Sequence, residues 1–240
     1  MIRQKSIIVF LIIFFGVLFF AKASQADITT GLAGYWKFDE TSGTTASDSS
    51  GGGNNGTLTN GPIWATGKIG GALTFDGVDD YVAKDPTSFD FTNNPTKSHS
   101  ISAWFYPKYP GAPNFGGLGI SNSGMGMRIM CVDETVDKWA YQIKGGSTYP
   151  RSNNGPCVQN TWQHVVGVYN AANTTIYVYY NGVEVASSIA ADINTSADNN
   201  YLRIGYNQWY FNGLIDEVRV YNRVLTASDV LELYSYPDPV

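Results

Sequence analysis

The order of apolar and polar positions along the chain predicts many short β-strands. Near the start, Trp36 and Phe38 alternate with Lys37 and Asp39, which is the pattern of a strand with one buried face. Segments rich in Gly, Asn, Asp, Ser and Thr separate the apolar runs and predict turns. Further strands are predicted at residues 72–75, 80–83, 100–106, 127–132, 139–143, 161–169, 175–180, 183–186, 201–205 and 213–221.

The strongest local signal is a hairpin around Asn181 and Gly182. These two residues stand between the apolar runs 175–180 and 183–186. Asn-Gly favours a two-residue turn because both residues tolerate positive φ. Many short strands with turns between them predict an all-β protein built as an antiparallel sandwich.

One short helix is predicted close to the C-terminal end. Thr226 is its expected N-cap, and Asp229 three residues later forms a variant of the capping box. Val230, Leu231 and Tyr234 are expected to dock this helix on the sandwich.

The N-terminal residues predict export. Arg3 and Lys5 precede an apolar run over residues 7–20, which is followed by small residues up to Ala26. This order is typical of a secretory signal over residues 1–26 and of a secreted or cell-surface protein. An uncleaved N-terminal anchor is the alternative, although the run is short for crossing a bilayer.

Removal of this signal leaves residues 27–240, a length that suits one sandwich domain. The remaining chain contains twelve Lys and Arg residues and twenty Asp and Glu residues, so its net charge is −8. Nucleic-acid binding requires a basic face, and this charge argues against it and against an anionic membrane surface. We expect no membrane insertion after signal removal, and the oligomeric state stays open.

Two cysteines, Cys131 and Cys157, are the only ones in the chain. An even number of cysteines in an exported protein predicts a disulfide. Two thiols alone do not make a structural zinc site.

The sequence shows no arrangement typical of an enzyme. Retaining glycosidases need two carboxylates about 5–5.5 Å apart, whereas Asp216 and Glu217 are adjacent and are expected on opposite faces of a strand. His164 follows Trp162 within a strand and is expected to be structural, and no Gly-x-Ser-x-Gly elbow is present. We therefore predict a protein that is not an enzyme. A glycoside hydrolase with an atypical acid pair is the remaining catalytic alternative.

Six segments resemble, in the same order, the laminin-G-like jelly-roll domains with the concanavalin A-like sandwich. The resemblance spans residues 31–236 and implies a two-sheet jelly roll, in a family that includes lectins, adhesion modules and some glycoside hydrolases. It implies binding of an extracellular glycan or protein, and the alternative is a structural or adhesive surface component without a discrete ligand site. The segments are residues 34–40, 71–82, 100–104, 162–166, 179–183 and 211–225.

The resemblance also implies a structural calcium ion at the rim of the sandwich. Asp39 and Asp216 are the first expected ligands, because the terminal strands pair in such sandwiches. Asp48 is a further candidate and Asp79 a weaker one. In the alternative interpretation Asp216 accepts hydrogen bonds from buried backbone amides, and Asp79 shapes a turn.

Aromatic side chains in a loop are the candidates for glycan contact. Trp209 and Tyr210 lie within residues 206–212, between two predicted strands, and are the expected ligand-binding residues. Plain packing of the loop is the alternative for Trp209. Four other tryptophans occupy alternating strand positions and are expected in the core, namely Trp36, Trp104, Trp139 and Trp162.

Overall fold

The computed structural model describes residues 27–85, 89, 96–108, 114–120, 127–132, 138–143, 151–190, 201–207 and 209–236. The signal predicted at residues 1–26 lies outside the described residues. Within the described ranges, no helix is long and apolar enough to cross a membrane.

These ranges contain sixteen strands and one helix. In chain order they are β1 (Leu32–Trp36), β2 (Thr45–Ala46), β3 (Gly56–Thr59), β4 (Ile63–Thr66), β5 (Gly71–Asp76), β6 (Tyr81–Lys84), β7 (His99–Pro107), β8 (Asn114–Ile120), β9 (Met127–Val132), β10 (Lys138–Gln142), β11 (Arg151–Pro156), β12 (Gln163–Asn170), β13 (Thr175–Tyr180), β14 (Val183–Ile189), β15 (Leu202–Ile204), β16 (Asn212–Tyr221) and α1 (Ala227–Ser235).

The strands form two antiparallel sheets, which confirms the predicted fold class. Sheet A has the order β14-β13-β12-β7-β16-β5-β4, and β1 also pairs with β16. Sheet B has the order β11-β10-β9-β8-β15-β6-β3-β2. Many neighbours in both sheets are distant in sequence, as expected for a jelly roll.

The core lies between the two sheets. It consists of the side chains at every second position of the central strands. Phe105 of sheet A packs on Trp139 of sheet B with ring centroids 4.7 Å apart. Tyr141 reaches across to Gly167 on β12, where a Cβ atom would lie only 2.2 Å from the tyrosine ring. Glycine at residue 167 therefore makes room for a buried aromatic side chain from the opposite sheet.

The Asn-Gly hairpin is confirmed between β13 and β14. Asn181 and Gly182 have φ angles of 48° and 83°. Both residues thus adopt the left-handed backbone that this turn requires.

The capping box of α1 is also confirmed. Asp229 N donates to the Thr226 hydroxyl, and Thr226 N donates to Asp229 Oδ2. Val230 and Leu233 are the buried apolar side chains of the helix. Leu231 is 53% exposed, but it still contacts the sandwich, since a Cβ atom at Gly182 would lie 3.3 Å from Leu231 Cδ1 and 3.0 Å from Tyr234 Cδ1.

The predicted disulfide is present between Cys131 and Cys157, whose Cα atoms are 6.0 Å apart. Cys131 lies on β9, and Cys157 directly follows β11. Both side chains belong to the buried core, so the bridge ties the edge of sheet B to the interior.

A β-bulge in β16 overturns one expectation about the acidic residues. Ile215 and Val218 both lie in the core, although two residues separate them. The extra residue is Glu217, whose φ is 53°, and the strand register shifts at this point. Asp216 and Glu217 therefore lie together on the outer face of sheet A, and the expectation of opposite faces was wrong.

Candidate functional site

A row of outward-facing residues crosses the middle of sheet B. Strand pairing aligns Ala83 with Arg203, Arg203 with Gly119, Gly119 with Arg128, and Arg128 with Gln142. Adjacent strands are about 4.8 Å apart, which places the backbones of Arg203 and Arg128 about 10 Å from each other. Two arginines thus flank a position that has no side chain.

The loop that follows β15 fills the gap above Gly119. A Cβ atom at Gly119 would lie 3.2 Å from Cβ of Asn207, so the loop rests directly on the sheet. Asn207 is fully buried, and its amide Nδ2 donates to the carbonyl of Ile129 at 2.8 Å. Arg128 donates to the Asn207 carbonyl at 3.3 Å. These contacts fix the loop on the outer face of sheet B.

Aromatic rings form a continuous cluster beside this loop. The ring of Tyr206 lies 4.7 Å from that of Tyr210 and 6.2 Å from that of Tyr81. The guanidinium of Arg203 lies 5.5 Å from the Tyr81 ring and 5.2 Å from the Tyr201 ring. All five side chains are partly exposed, so solvent reaches the cluster.

Trp209 extends this cluster towards Arg128. The Arg128 guanidinium lies 5.8 Å from the centroid of the Trp209 ring. One side of the indole packs on Met130 and Ala140, as the alternative of loop packing expects. The indole also stays partly exposed, so a ligand can reach it. We call the whole surface the aromatic face, defined by Tyr81, Tyr201, Tyr206, Trp209, Tyr210, Arg128 and Arg203.

Sequence reasoning identified only two residues of the aromatic face. Trp209 and Tyr210 were found because they lie in one loop. Tyr81 belongs to β6, and it joins Tyr206 only through the pairing of β6 with β15. A short stretch of sequence does not reveal which strands pair, so the contact between Tyr81 and Tyr206 could not be predicted. The only local signal is that both tyrosines follow residues typical of turns, Asp79-Asp80 and Gly205.

At the rim of the sandwich, the structure brings Asp39 and Asp216 to the same turn between β4 and β5. Asp39 Oδ1 accepts a hydrogen bond from Gly71 N at 2.8 Å. Asp216 Oδ2 accepts hydrogen bonds from Lys68 N and Ile69 N, both at 2.9 Å. The hydrogen bonds to Asp216 are those of the alternative interpretation, in which it accepts from buried backbone amides, and the role of both residues as metal ligands stays a prediction.

Asp48 is held by backbone amides. Its carboxylate accepts from Tyr35 N at 3.0 Å, Ser50 N at 2.9 Å and Asn54 N at 2.8 Å. Burial raises the pKa of Asp48, but the hydrogen bonds from Ser50, Asn54 and Tyr35 outweigh burial and hold this pKa below its ordinary value. These contacts give Asp48 a structural role in the loop after β1.

Asp79 lies away from the other predicted metal ligands. It belongs to a turn with Asp76 and Asp80, in which ligand atoms of the three carboxylates lie within 4.8 Å of one another. This turn follows the end of β5 opposite to Gly71, about 17 Å along an extended strand. The structure therefore does not bring Asp79 to Asp39.

Two buried carboxylate oxygens at the rim have no hydrogen-bond partner among the described residues. They are Oε2 of Glu40 and Oδ1 of Asp216. Glu40 and Asp39 line a surface cleft of about 460 Å³ together with Trp64 and Gly70. Burial, with a smaller contribution from Glu217, raises the pKa of Asp216 to about 8 against the opposing hydrogen bonds from backbone amides. Sequence reasoning missed Glu40, although it directly follows Asp39 in the chain.

Comparison with known families matches residues 75–231 to the concanavalin A-like lectin/glucanases superfamily. The chain belongs to this superfamily. The match covers more than half of the sequence and includes most of both sheets. In a comparison with curated proteins, none matches the chain.

Several solved structures share the fold of this chain. Domain 4 of AbnA, a GH43 extracellular arabinanase from Geobacillus stearothermophilus in complex with arabinotriose, has 24% identity and a TM-score of 0.66, over 85% of this chain and 98% of that chain. The binding domain of botulinum neurotoxin DC in complex with SialylT has 14% identity and a TM-score of 0.66, over 87% and 52%. The binding domain of Paraclostridial Mosquitocidal Protein 1 has 16% identity and a TM-score of 0.67, over 88% and 53%.

This chain therefore spans about half the length of those toxin binding domains. At these identities the likeness shows the fold alone. The neighbours of this concanavalin A-like chain are mainly binding domains, and they include one domain of a glycoside hydrolase.

The acid pair on the outer face of sheet A is closed to solvent. Asp216 is 0% exposed and Glu217 is 2% exposed, and Arg219 donates to Glu217 Oε2. His164 is equally buried, with Nε2 at 2.8 Å from the Ser102 hydroxyl, and burial lowers its pKa to about 3. Glu217 contacts Arg219 and Tyr35, Asp216 contacts the backbone amides of Lys68 and Ile69, and His164 contacts Ser102, so each group has its partners inside the protein.

Proposed function

We propose that this chain is a secreted, non-catalytic domain that binds an extracellular glycan on the aromatic face of sheet B. The observation that carries the proposal is the collection of five partly exposed aromatic rings and two arginines on one side of one sheet. Three strands, β6, β9 and β15, and the segments on either side of β15 contribute to this surface, so its residues are far apart in sequence and close in space.

The chemistry of the aromatic face suits a hydroxyl-rich ligand. Tyrosine and tryptophan present large apolar rings together with a polar atom, so they can pack on the apolar side of a sugar and still donate hydrogen bonds. The partly exposed guanidinium of Arg203 adds donors that fix the orientation of a ligand, and buried Arg128 supports the Trp209 ring from below. The rigid sheet under Tyr81 and Arg203 holds these groups in place before binding, which lowers the entropy cost of association.

The burial of the acidic residues supports a non-catalytic function. A glycosidase must present both carboxylates to the bond that it cleaves. The carboxylates of Asp216 and Glu217 lie beneath other side chains on the opposite sheet from the aromatic face. The glycan site that we propose therefore contains neither member of this pair.

Replacing Tyr206 or Tyr210 with alanine is expected to weaken glycan binding by roughly tenfold to a hundredfold. Each ring supplies contact area that is lost on truncation, and losses of about 1.4 kcal/mol correspond to a factor of ten. A glycan array that includes arabino-oligosaccharides and sialylated glycans would identify a ligand, and titration calorimetry would compare the variants.

Tyr177→Ala is the matched control, because Tyr177 is a partly buried tyrosine on the outer face of sheet A. It should bind as tightly as the parent protein. Unchanged affinity in both Tyr206→Ala and Tyr210→Ala would refute the proposed site. An array without any hit would instead support the structural or adhesive alternative.

We also propose that a calcium ion stabilises the rim of the sandwich. The support is the orphaned Glu40 Oε2 beside the cleft that Asp39 and Glu40 line. Buried carboxylate oxygens without partners are costly, and a hard cation with oxygen ligands would satisfy them. Asp39 and Glu40 would supply ligands to the ion, which would act on stability and not on a reaction. The ligand atoms of Asp39, Glu40 and Asp216 do not all lie within 4.8 Å of one another, so Asp216 is not part of the proposed site.

Calcium is expected to raise the melting temperature by about 5–10 °C. Ligand at a hundred times its dissociation constant stabilises a fold by about 2.7 kcal/mol, and about 1 kcal/mol shifts a domain of this size by 2–4 °C. Thermal melts in calcium and in EDTA would measure the shift.

The calcium-dependent shift should disappear in Glu40→Gln and persist in Asp79→Asn, since Asp79 lies at the far end of β5. Equal melting temperatures of the parent protein in calcium and in EDTA would contradict a calcium site.

A further inference from the structure

Acidic residues border the aromatic face at both ends of β6. Asp79 and Asp80 directly precede this strand, and Asp85 directly follows it. The strand has only four residues, so about 13 Å of backbone separates the two groups of acids. Between them lies a set of partly exposed rings that we call the tyrosine cluster, defined by Tyr81, Tyr201, Tyr206 and Tyr210.

The acidic turn before β6 packs against the loop that follows β15. A Cβ atom at Gly205 would lie only 3.2 Å from the backbone oxygen of Asp80. At the other end of the loop, Asn212 Nδ2 donates to the carbonyl of Asp76 at 2.9 Å. The turn and the loop that carries two tyrosines of the cluster are therefore in direct contact.

The carboxylates of this turn carry negative charge that no described cation compensates. Ligand atoms of Asp76, Asp79 and Asp80 lie within 4.8 Å of one another, and the first two residues are exposed. Their hydrogen bonds come from backbone amides of the same turn, and none of the ion pairs among the described residues includes them. Burial raises the pKa of Tyr210, with smaller contributions from two neighbouring tyrosines and from Asp79, so the turn acts electrostatically on the cluster.

The positive charge inside the tyrosine cluster is already paired. Nη1 and Nη2 of Arg203 donate to Oδ1 and Oδ2 of Asp85 at 2.5 and 2.6 Å, which is the two-pronged geometry of a strong pair. Nη1 also donates to the Leu202 carbonyl at 2.8 Å. A guanidinium has about five N–H donors, so Arg203 keeps donors for the hydroxyl groups of a neutral ligand.

The other cations of this surface lie towards Trp209, away from the cluster. Arg128 is buried, and it donates to Gln142 Oε1 and to the Asn207 carbonyl. Lys138 lies two residues before Ala140 on β10 and takes the same face. Four strand spacings, about 19 Å, separate β10 from β6. This separation exceeds the Debye length of about 8 Å at physiological salt, so Lys138 does not offset the acids around the cluster.

We propose that the tyrosine cluster accepts neutral sugar residues and rejects residues that carry a carboxylate, such as sialic and uronic acids. The assignment rests on the function proposed above and names the ligand class of the same face. A ligand carboxylate beside Tyr81 and Tyr210 is repelled by the acidic turn and finds Arg203 already paired. A neutral sugar packs on the same rings without this repulsion, so the acids act as an element that discriminates against the wrong ligand.

Pairs of oligosaccharides that differ in charge test this assignment. The glycan array would include lactose with sialyllactose, and the methyl ester with the free acid of tri-galacturonic acid. Neutral glycans should make up the hits, and in each pair that binds the neutral member should bind about tenfold more tightly at low ionic strength. High salt should reduce this preference, because screening weakens the repulsion.

Equal affinity within the pairs, or tighter binding of the acidic member, would overturn the assignment and leave the proposed function intact. An array without any hit would refute the proposed function and the assignment with it. The two failures are therefore distinguishable.

Variants identify the charges that are responsible. In Asp85→Asn the guanidinium of Arg203 loses its partner, so a ligand carboxylate can pair with it, and the preference for the neutral member should fall from about tenfold to within about twofold. The double variant Asp85→Asn/Arg203→Met should recover the preference. Asp79→Asn should reduce the preference by about threefold, because one repelling charge is removed.

Glu184→Gln is the matched control, because it removes one negative charge from an exposed residue of β14 on sheet A. It should leave the preference unchanged. An undiminished preference in both Asp85→Asn and Asp79→Asn would contradict exclusion by charge. Melting temperatures of all variants would show that they are folded.

Discussion

Replacing Arg219 with methionine is expected to lower the free energy of unfolding by about 3–5 kcal/mol. Arg219 and Glu217 form an ion pair whose side chains are only 3% and 2% exposed. Arg219 Nη2 also donates to the Tyr35 hydroxyl at 2.7 Å, and its guanidinium lies 4.1 Å from the centroid of the Tyr35 ring. Without Arg219, the carboxylate of Glu217 would be buried without a compensating positive charge, and this accounts for the loss.

Urea unfolding of the parent and the variant would measure this effect. The double variant Glu217→Gln/Arg219→Met should recover most of the lost stability, because no buried charge remains in it. Arg203→Met is the matched control, since the Arg203–Asp85 pair is partly exposed and should contribute no more than about 1 kcal/mol. A loss below about 1 kcal/mol in Arg219→Met would contradict the importance of the buried pair.

Removing the disulfide is expected to cost about 3 kcal/mol of unfolding free energy. The bridge joins Cys131 to Cys157 across a sequence separation of 26 residues, so it restricts the unfolded chain. The double variant Cys131→Ala/Cys157→Ala should have the lower stability in urea. The parent protein in reducing agent should approach the stability of that variant.

The double variant should show no further change in reducing agent, which provides the control for effects of the reagent itself. A parent protein with the same unfolding midpoint in oxidising and reducing conditions would rule out a stabilising bridge.

The elements with strong local signals could be predicted from the sequence. Asn181-Gly182 specified a hairpin because both residues tolerate positive φ, and Thr226 with Asp229 specified the start of α1 because the two side chains cap the same turn. The superfamily was also evident from six short segments. For the hairpin and the helix start, neighbouring residues determine the backbone conformation, and contacts with distant parts of the chain are not required.

The bulge at Glu217 could not be predicted in the same way. Regular alternation places adjacent side chains on opposite faces, and one additional residue reverses that rule for the residues around it. Glu217 adopts a positive φ that glutamate rarely takes, and its contacts with Arg219 and Tyr35 accompany this conformation. Such a compensation depends on β16 and on β1, which lies at the other end of the chain, so no short segment of sequence reveals it.

The candidate sites show the same division. Trp209 and Tyr210 could be chosen because they are neighbours in one loop, whereas Tyr81 joins them only through strand pairing. Trp162 alternates like a core residue, but it precedes β12 and lines a surface cavity with Trp104 and Tyr234. Its side chain stays partly exposed, so its expected place in the core was wrong. Alternation of apolar and polar residues shows which face of the sheet a side chain lies on. It does not show whether another strand or helix covers that face.

The most direct test of the account is to map a bound glycan on the protein by NMR. The isotope-labelled protein would be titrated with the oligosaccharide that the array identifies, and backbone amide shifts would be followed. The account predicts that the largest changes lie at Tyr81, Arg203 and residues 205–207 and 209–211, around the aromatic face. Changes confined to sheet A, with none on the outer face of sheet B, would contradict it.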